Sequence, residues 1–515
     1  MNIMNAIKSE ISSTNLSTTE NGALGFAKCK SDIVDFFYNV SSMRILSAKK
    51  KQTEFLKVLA EDRDLAYRML FFVRDVRGGL GERQLFRDVI RGIDEDDLLK
   101  LLPLIPEYGR WDDVLSLLMD DDTSKKIIDA AVDLIHTQFK QDLEDANAEH
   151  PISLLAKWMP SIRKVNKKKV KLAKFLCNRF GLQERDYRHS LSFLRNHLKV
   201  VEKWMSERKW GEIDFGAVPS KAAKNYRNAF MNHDEKRYRE YLNKLSKGEA
   251  KVNAGAVFPY EIVSAYHDGI DEINQFDQLL ESQWKALPLP KGLLENAIVV
   301  RDGSGSMITR ISNSTESTAL DVATSLAVLM SEHLKGPFAN RFITFSKNPK
   351  FIDLSGCSTL RQKLQLTFSQ DEISNTDIER TMDLILNTAT KNHLKQEEIP
   401  TIIIISDMEF DEARGSMFYW NADSQKTLFE TISAKWESHG YHLPKMVFWN
   451  VANRSGTVPM QDNDFGLIMV SGFSQNILDV LSGEGDMVEI IRKKLMVERY
   501  DKVSDALASS TNSAN

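Results

Sequence analysis

Cysteine is scarce in this chain. Only Cys29, Cys177 and Cys357 occur among 515 residues, and they form no C-x-x-C pair and no His/Cys cluster. That excludes a disulfide framework and a cysteine-based zinc site, and it points to a reducing compartment. No apolar run approaches the ~20 residues that cross a bilayer. The opening MNIMNAIKSEISSTNLSTTE lacks an apolar stretch flanked by basic residues, so no secretory signal is expected and the expected location is cytoplasmic. Charge is nearly balanced at net −4, with 27% charged and 42% hydrophobic residues, which is ordinary for a globular protein. A length of 515 residues exceeds what one core serves, so two or more domains are expected.

The stretch that organises the chain is Asn296 to Met307, NAIVVRDGSGSM. Several familiar motifs are missing from it. An EF-hand would need Gly and Glu where Met307 and Asn313 stand. A nucleophile elbow would need Ser at the centre of Gly303–Met307, where Gly305 stands. No Lys-Ser/Thr pair follows, which excludes a P-loop. Ser304 stands where a D-x-D aspartyl-phosphate enzyme has a carboxylate. What remains is D-x-S-x-S after a short β-branched run, Ala297 to Val300: a buried strand entering a tight loop. One carboxylate and two hydroxyls at alternate positions suit a hard divalent cation such as Mg²⁺.

Two further pieces join it. Thr401 to Ile405 is a second buried strand, leading into Asp407. Between the two strands, Asn375-Thr376-Asp377 opens a helix with apolar Ile378, Met382, Ile385 and Ala389 at helical spacing. In an open α/β sheet, ligands bind beyond the carboxyl ends of the strands, where all three pieces lie. From about Lys291 to Arg499 the chain therefore resembles a von Willebrand factor A (vWA) domain with a metal-ion-dependent adhesion site. The resemblance implies that Ser304, Ser306 and Thr376 bind the metal directly and that Asp302 and Asp407 hold it mostly through water. It also implies an open coordination position for a partner's carboxylate. Asp411 and Glu409, just beyond Asp407, are expected at the solvated rim.

From Ser31 to about Gln283 the pattern is almost wholly helical, with short amphipathic segments joined by short turns. That density, without a clean repeat period, suggests stacked helix pairs of the HEAT or armadillo sort. Helices are expected around Glu82–Arg91, Trp111–Met119, Lys125–Glu144, Lys167–Phe180, Arg185–Glu207, Lys221–Phe230 and Asp234–Leu245. The expected fold is an α helical-repeat (HEAT-like) domain followed by an α/β doubly wound vWA domain. The divisions are a disordered 1–18, helical 19–285, a proline-bearing linker 286–291, vWA 292–500 and a disordered tail 501–515. Expected strands are Ala297–Arg301, Arg341–Phe345, Thr401–Ile405, Met446–Val451 and Leu467–Val470.

Within the helical half stand FVRDVRGGLGERQLF (Phe72–Phe86), PEYGRWDD (Pro106–Asp113), LLAKWMPS (Leu154–Ser161) and DFGAVPS (Asp214–Ser220); KMVFWN (Lys445–Asn450) lies later. Taken singly, the first three are helix junctions, with glycines for the turn, Arg and Glu to pair across it, and Trp111 or Trp158 to fill a gap. In this order, ahead of an adhesion-site vWA domain, they resemble the TROVE module of the Ro autoantigen family. They are closer still to an uncharacterised Ro-like group in microbes, viruses and plants. Between Pro151 and Pro259, about 25 Lys and Arg face about 10 Asp and Glu. Lys164, Lys167, Lys168, Lys169, Lys171 and Lys174 form one cluster. Arg185, Arg188, Arg195, Lys199 and Lys203 continue it, followed by Lys221, Lys224, Arg227, Lys236, Arg237 and Arg239. Tyr187, Tyr226 and Tyr238 are interleaved. Lysines neutralise phosphates and aromatic faces stack on unpaired bases, whereas a charge run by itself is more often a solvated face.

The resemblance implies a non-enzymatic RNA-binding protein, holding small noncoding RNA or single-stranded ends on the basic helical surface, with Mg²⁺ in the vWA domain and a possible protein partner there. The alternative is a protein-interaction scaffold that binds no RNA. A metal-dependent hydrolase is the weakest reading, because no His lies within the metal strings.

Overall fold

The computed structural model describes residues 15–162, 166–198, 200–267, 273–288, 295–312, 315–345, 348–371, 377–412 and 426–509. A mostly helical region is followed by a mixed sheet with flanking helices. Among the described residues no helix is long and apolar enough to cross a membrane. The chain divides into two compact units: Met1–Leu46, Ala60–Asp62 and Ala254–Leu495, and Ser47–Leu59, Arg63–Asn253 and Met496–Asn515. Each unit thus draws chain from both sides of the 286–291 stretch, whose last residues lie outside the described set.

The first unit opens with a small hairpin, β1 (Leu16–Thr18) paired antiparallel with β2 (Leu24–Phe26). Residues 16–18 are therefore a strand, although their Ser/Thr-rich composition suggests disorder. The main sheet comprises β3 (Ala297–Asp302), β4 (Arg341–Phe345), β5 (Lys350–Asp353), β6 (Thr401–Ser406), β7 (Met446–Asn450) and β8 (Leu467–Ser471), in the order β5-β4-β3-β6-β7-β8. All pairings are parallel except β4 with β5. The central strands are β-branched because helices cover both faces of a parallel sheet. β3 is buried at every position, as is β6 after Thr401. The Ala319–His333 helix packs on β3 and β4 and is buried from Ala319 through Ser331. The doubly wound order reverses direction between β3 and β6, and the crevice beyond their carboxyl ends is where such sheets bind ligands.

In the second unit, the Arg63–Arg74 helix is buried from Leu65 to Arg74. It ends in the Gly78–Gly81 turn, where a side chain at Gly79 would lie 1.9 Å from the Phe72 carbonyl oxygen, so only glycine fits. Arg74 then pairs with the fully buried Asp113 at 2.7 Å, and Arg110 lies over the Trp158 ring at 5.2 Å. The expected tail at 501–515 is instead helical as far as Ala508, in a helix spanning Glu498–Ala508. Buried Tyr500, Val503 and Leu507 hold it, and Tyr500 stacks on Tyr108 at 5.7 Å. The helix expected over Arg185–Glu207 is two, Glu184–His197 and Val201–Ser206.

Candidate functional site

Asp302 ends β3, fully buried, and the loop folds back upon it. Its Oδ1 accepts the Ser304 backbone N–H at 2.9 Å, and its Oδ2 accepts the Ser406 hydroxyl, from the end of β6, at 2.6 Å. Ser304 Oγ and Ser306 Oγ are 3.0 Å apart. Met307, fully buried, anchors the short 3₁₀ turn that follows. Asp407 is also fully buried, and the nearby Ser306 hydroxyl favours its charged form. Four of the five expected metal residues, Asp302, Ser304, Ser306 and Asp407, thus meet at the β3/β6 crevice. Thr376 lies outside the described residues. Its neighbour Asp377 caps the Ile378–Lys391 helix by accepting the Arg380 N–H at 3.1 Å.

The electrostatics follow from burial. Desolvation first, then repulsion from Asp407, pushes the Asp302 carboxyl up to about 7. Burial also raises Asp407, against the lowering pull of the Ser306 hydroxyl and Arg454. Two dry carboxylates facing a pair of serine hydroxyls form an oxygen-only donor set, suited to a hard divalent cation whose charge would relieve that repulsion. Among the described residues no group of three His, Cys, Asp or Glu side chains could hold a metal, so the hydroxyls are essential to this reading.

Sequence reasoning missed the residues that brace the crevice. Arg301, fully buried inside β3, donates Nη1 and Nη2 to the two oxygens of Asp371 at 2.5 and 2.8 Å, and Nε to Thr324 at 2.9 Å. This bidentate pair holds the last residue before the stretch that carries Thr376. Met408 adopts φ +63°, a left-handed conformation that costs a non-glycine residue ~1–2 kcal/mol. It stands between Asp407 and Glu409, which lie beyond the end of β6. Glu409 is not a solvated rim residue: fully buried, its carboxylate accepts the backbone N–H groups of Glu20, Arg454 and Ser455 at 2.7, 2.7 and 2.8 Å. An Arg inside an apolar strand was a visible signal. The remote partners gave none.

The basic surface lies in the other unit. On the Lys167–Arg179 helix, Lys167, Lys168, Lys169, Lys171 and Lys174 are exposed. Among the described residues the first four form no ion pair, while Lys174 pairs with Glu184 at 3.0 Å. Three lysines occupy the first turn with no acidic residue there. The helix dipole favours anions at that end, so lysines there disfavour the helix and concentrate positive potential. Lys221 and Lys224 stand in the first turns of the Ser220–His233 helix but are half-buried, as is its Arg227. Arg185 is exposed. Arg188 is half-buried and lines a cleft of about 650 Å³ with Lys203, Glu202 and Glu207. Lys164 and Lys199 lie outside the described residues.

Two expectations change here. Arg195 donates to the Ala156 carbonyl, the Ser161 hydroxyl and the Met159 carbonyl at 2.9, 2.8 and 2.6 Å, so its guanidinium braces a turn. Tyr187 and Tyr238 are buried and offer no stacking face. Among the described residues of this unit, Phe175 at 36% and Phe193 at 40% are exposed aromatics.

The family model described as a domain of unknown function (DUF7788) matches residues 296–513, and a second (DUF2828) matches residues 108–288. Among solved structures the chain is similar to the RO (RSR) protein of Deinococcus radiodurans, at 14% identity and a TM-score of 0.36, over 86% of this chain and 92% of that one. Sharing 31% identity across 90% of its own length and 84% of the viral protein's, the chain belongs to the family of the uncharacterized protein L728 of Acanthamoeba polyphaga mimivirus.

Proposed function

We propose that this is a non-enzymatic RNA-binding protein of Ro-like type, and that its sheet-bearing unit carries a divalent-cation site. The observation that carries the RNA reading is the run of exposed lysines at the positive end of the Lys167–Arg179 helix. That placement disfavours the helix itself and is repaid when phosphates approach. Lys167, Lys168, Lys169, Lys171 and Lys174 neutralise backbone phosphates, with Arg185, Arg188, Lys221, Lys224 and Arg227 extending the track. Phe175 and Phe193 are placed to stack on unpaired bases. In the other unit, Ser304, Ser306, Asp302 and Asp407 would hold Mg²⁺, with Thr376 completing the set. The bound cation would offer an open position to a partner's carboxylate.

The experiment is direct. The protein is purified from cells without nuclease and its absorbance at 260 nm is measured before and after ribonuclease. The expected result is an excess at 260 nm that ribonuclease removes, with short noncoding RNA recovered. A protein free of nucleic acid, with no affinity for added single-stranded RNA at low salt, would favour the protein-scaffold reading instead.

A further inference from the structure

Arg454 bridges two elements that the metal reading leaves unconnected. Its Nη1 donates to Asp407 Oδ2 at 3.1 Å, and its Nε donates to Glu20 Oε2 at 2.9 Å. Asp407 is fully buried, Arg454 is 23% exposed and Glu20 is 51% exposed, so the three run from the crevice floor to solvent. One carboxylate organises both outer residues: Glu409 accepts the backbone N–H of Arg454 and that of Glu20, both at 2.7 Å. The hairpin bearing Glu20 is fastened independently of that side chain. Thr19 Oγ1 donates to the Phe410 carbonyl at 2.7 Å, Asn21 Nδ2 donates to the Glu409 carbonyl at 2.6 Å, and Phe26 bridges to Val458. The Arg454 backbone and the hairpin are therefore each held by bonds that do not involve the two ion pairs, which the side chains alone make.

We propose that Arg454 is the resident counter-cation of the metal site, and that Glu20 receives its guanidinium when a divalent cation takes Asp407. The inference rests on the metal reading above. A metal ion drawing on Asp407 and a guanidinium hydrogen-bonded to the same carboxylate repel each other in a poorly hydrated crevice, so each weakens the other's hold. Glu20 offsets this. A carboxylate already 2.9 Å from Nε keeps Arg454 paired once its bond to Asp407 lengthens. Cation affinity is thus set by two residues outside the expected ligand set, one of them on the N-terminal hairpin.

The two residues act in opposite directions, which a merely structural role would not produce. Mg²⁺, and separately Mn²⁺, is titrated calorimetrically into the full-length protein. Arg454→Gln is expected to bind about tenfold more tightly than wild type, Glu20→Gln about threefold more weakly, and Arg454→Lys close to wild type. If Arg454→Gln fails to fold, Glu20→Gln carries the test alone, because its side chain is half exposed and its hairpin is held by other bonds. Equal or tighter binding by Glu20→Gln, or unchanged or weaker binding by a folded Arg454→Gln, overturns the inference and leaves the metal site standing. If wild type and all variants bind neither ion, the metal reading itself falls.

Discussion

Asp302 is the residue on which the crevice turns. Its carboxyl titrates near 7 in the folded chain and near 4 when unfolded, so the folded form holds more protons between those values. The stability this contributes is fully present below about pH 4 and is lost as pH rises through about 7. The metal-free protein should therefore melt at least about 2 °C lower at about pH 8 than at about pH 5. Asp302→Asn should flatten that profile, and millimolar Mg²⁺ should raise the melting temperature more at the higher pH; scanning calorimetry reads all three. Arg301 makes a second prediction. Its partner Asp371 is 8% exposed and Arg301 is fully buried. Asp371→Ala would strand a guanidinium in the sheet and cost about 3–5 kcal/mol, measurable by urea unfolding. The D-x-S-x-S loop was legible because a carboxylate and two hydroxyls follow an apolar strand within a few residues. Ser406, Asp371 and Arg454 were not, because only the folded topology brings them to Asp302 and its neighbours.

At the scale of the element, what reads from sequence is what one period of one segment determines. β3, β4, β6, β7 and β8 were legible as short apolar runs because each is buried by its neighbours. β5 was not: an edge strand of four residues with Phe351 exposed has no run to show. The β1–β2 hairpin was illegible for another reason. Its composition suits a loose terminus, and its anchors lie far away, as with the Thr19 bond to Phe410, 391 positions along the chain. The closing Glu498–Ala508 helix, short and polar overall, was likewise held only by remote partners. The lysine-headed helix makes the sharpest element-level prediction. Replacing Lys167, Lys168 and Lys169 by Glu puts acids where the dipole favours them. The melting temperature should stay level or rise while RNA affinity at moderate salt falls at least about tenfold. A variant that melts lower and loses affinity in proportion would point to unfolding, not to a lost contact.

For the whole molecule, net charge conceals the organisation: −4 overall, yet an excess of roughly 15 positive charges between Pro151 and Pro259. Neutral proteins with such segregated charge attract polyanions through one region only, and that attraction is salt-dependent. The chain divides into two compact units, and each gathers segments distant in sequence, which no linear reading reveals. RNA binding by the lysine-headed helix is decided by titrating a short single-stranded RNA across a series of salt concentrations, with wild type and with the Lys167→Glu, Lys168→Glu, Lys169→Glu variant. Log affinity should fall linearly with log salt, and the variant's slope should be shallower by about 2, three lost phosphate contacts at ~0.7 each. Superimposable slopes, or RNA binding that salt leaves unchanged, would contradict it.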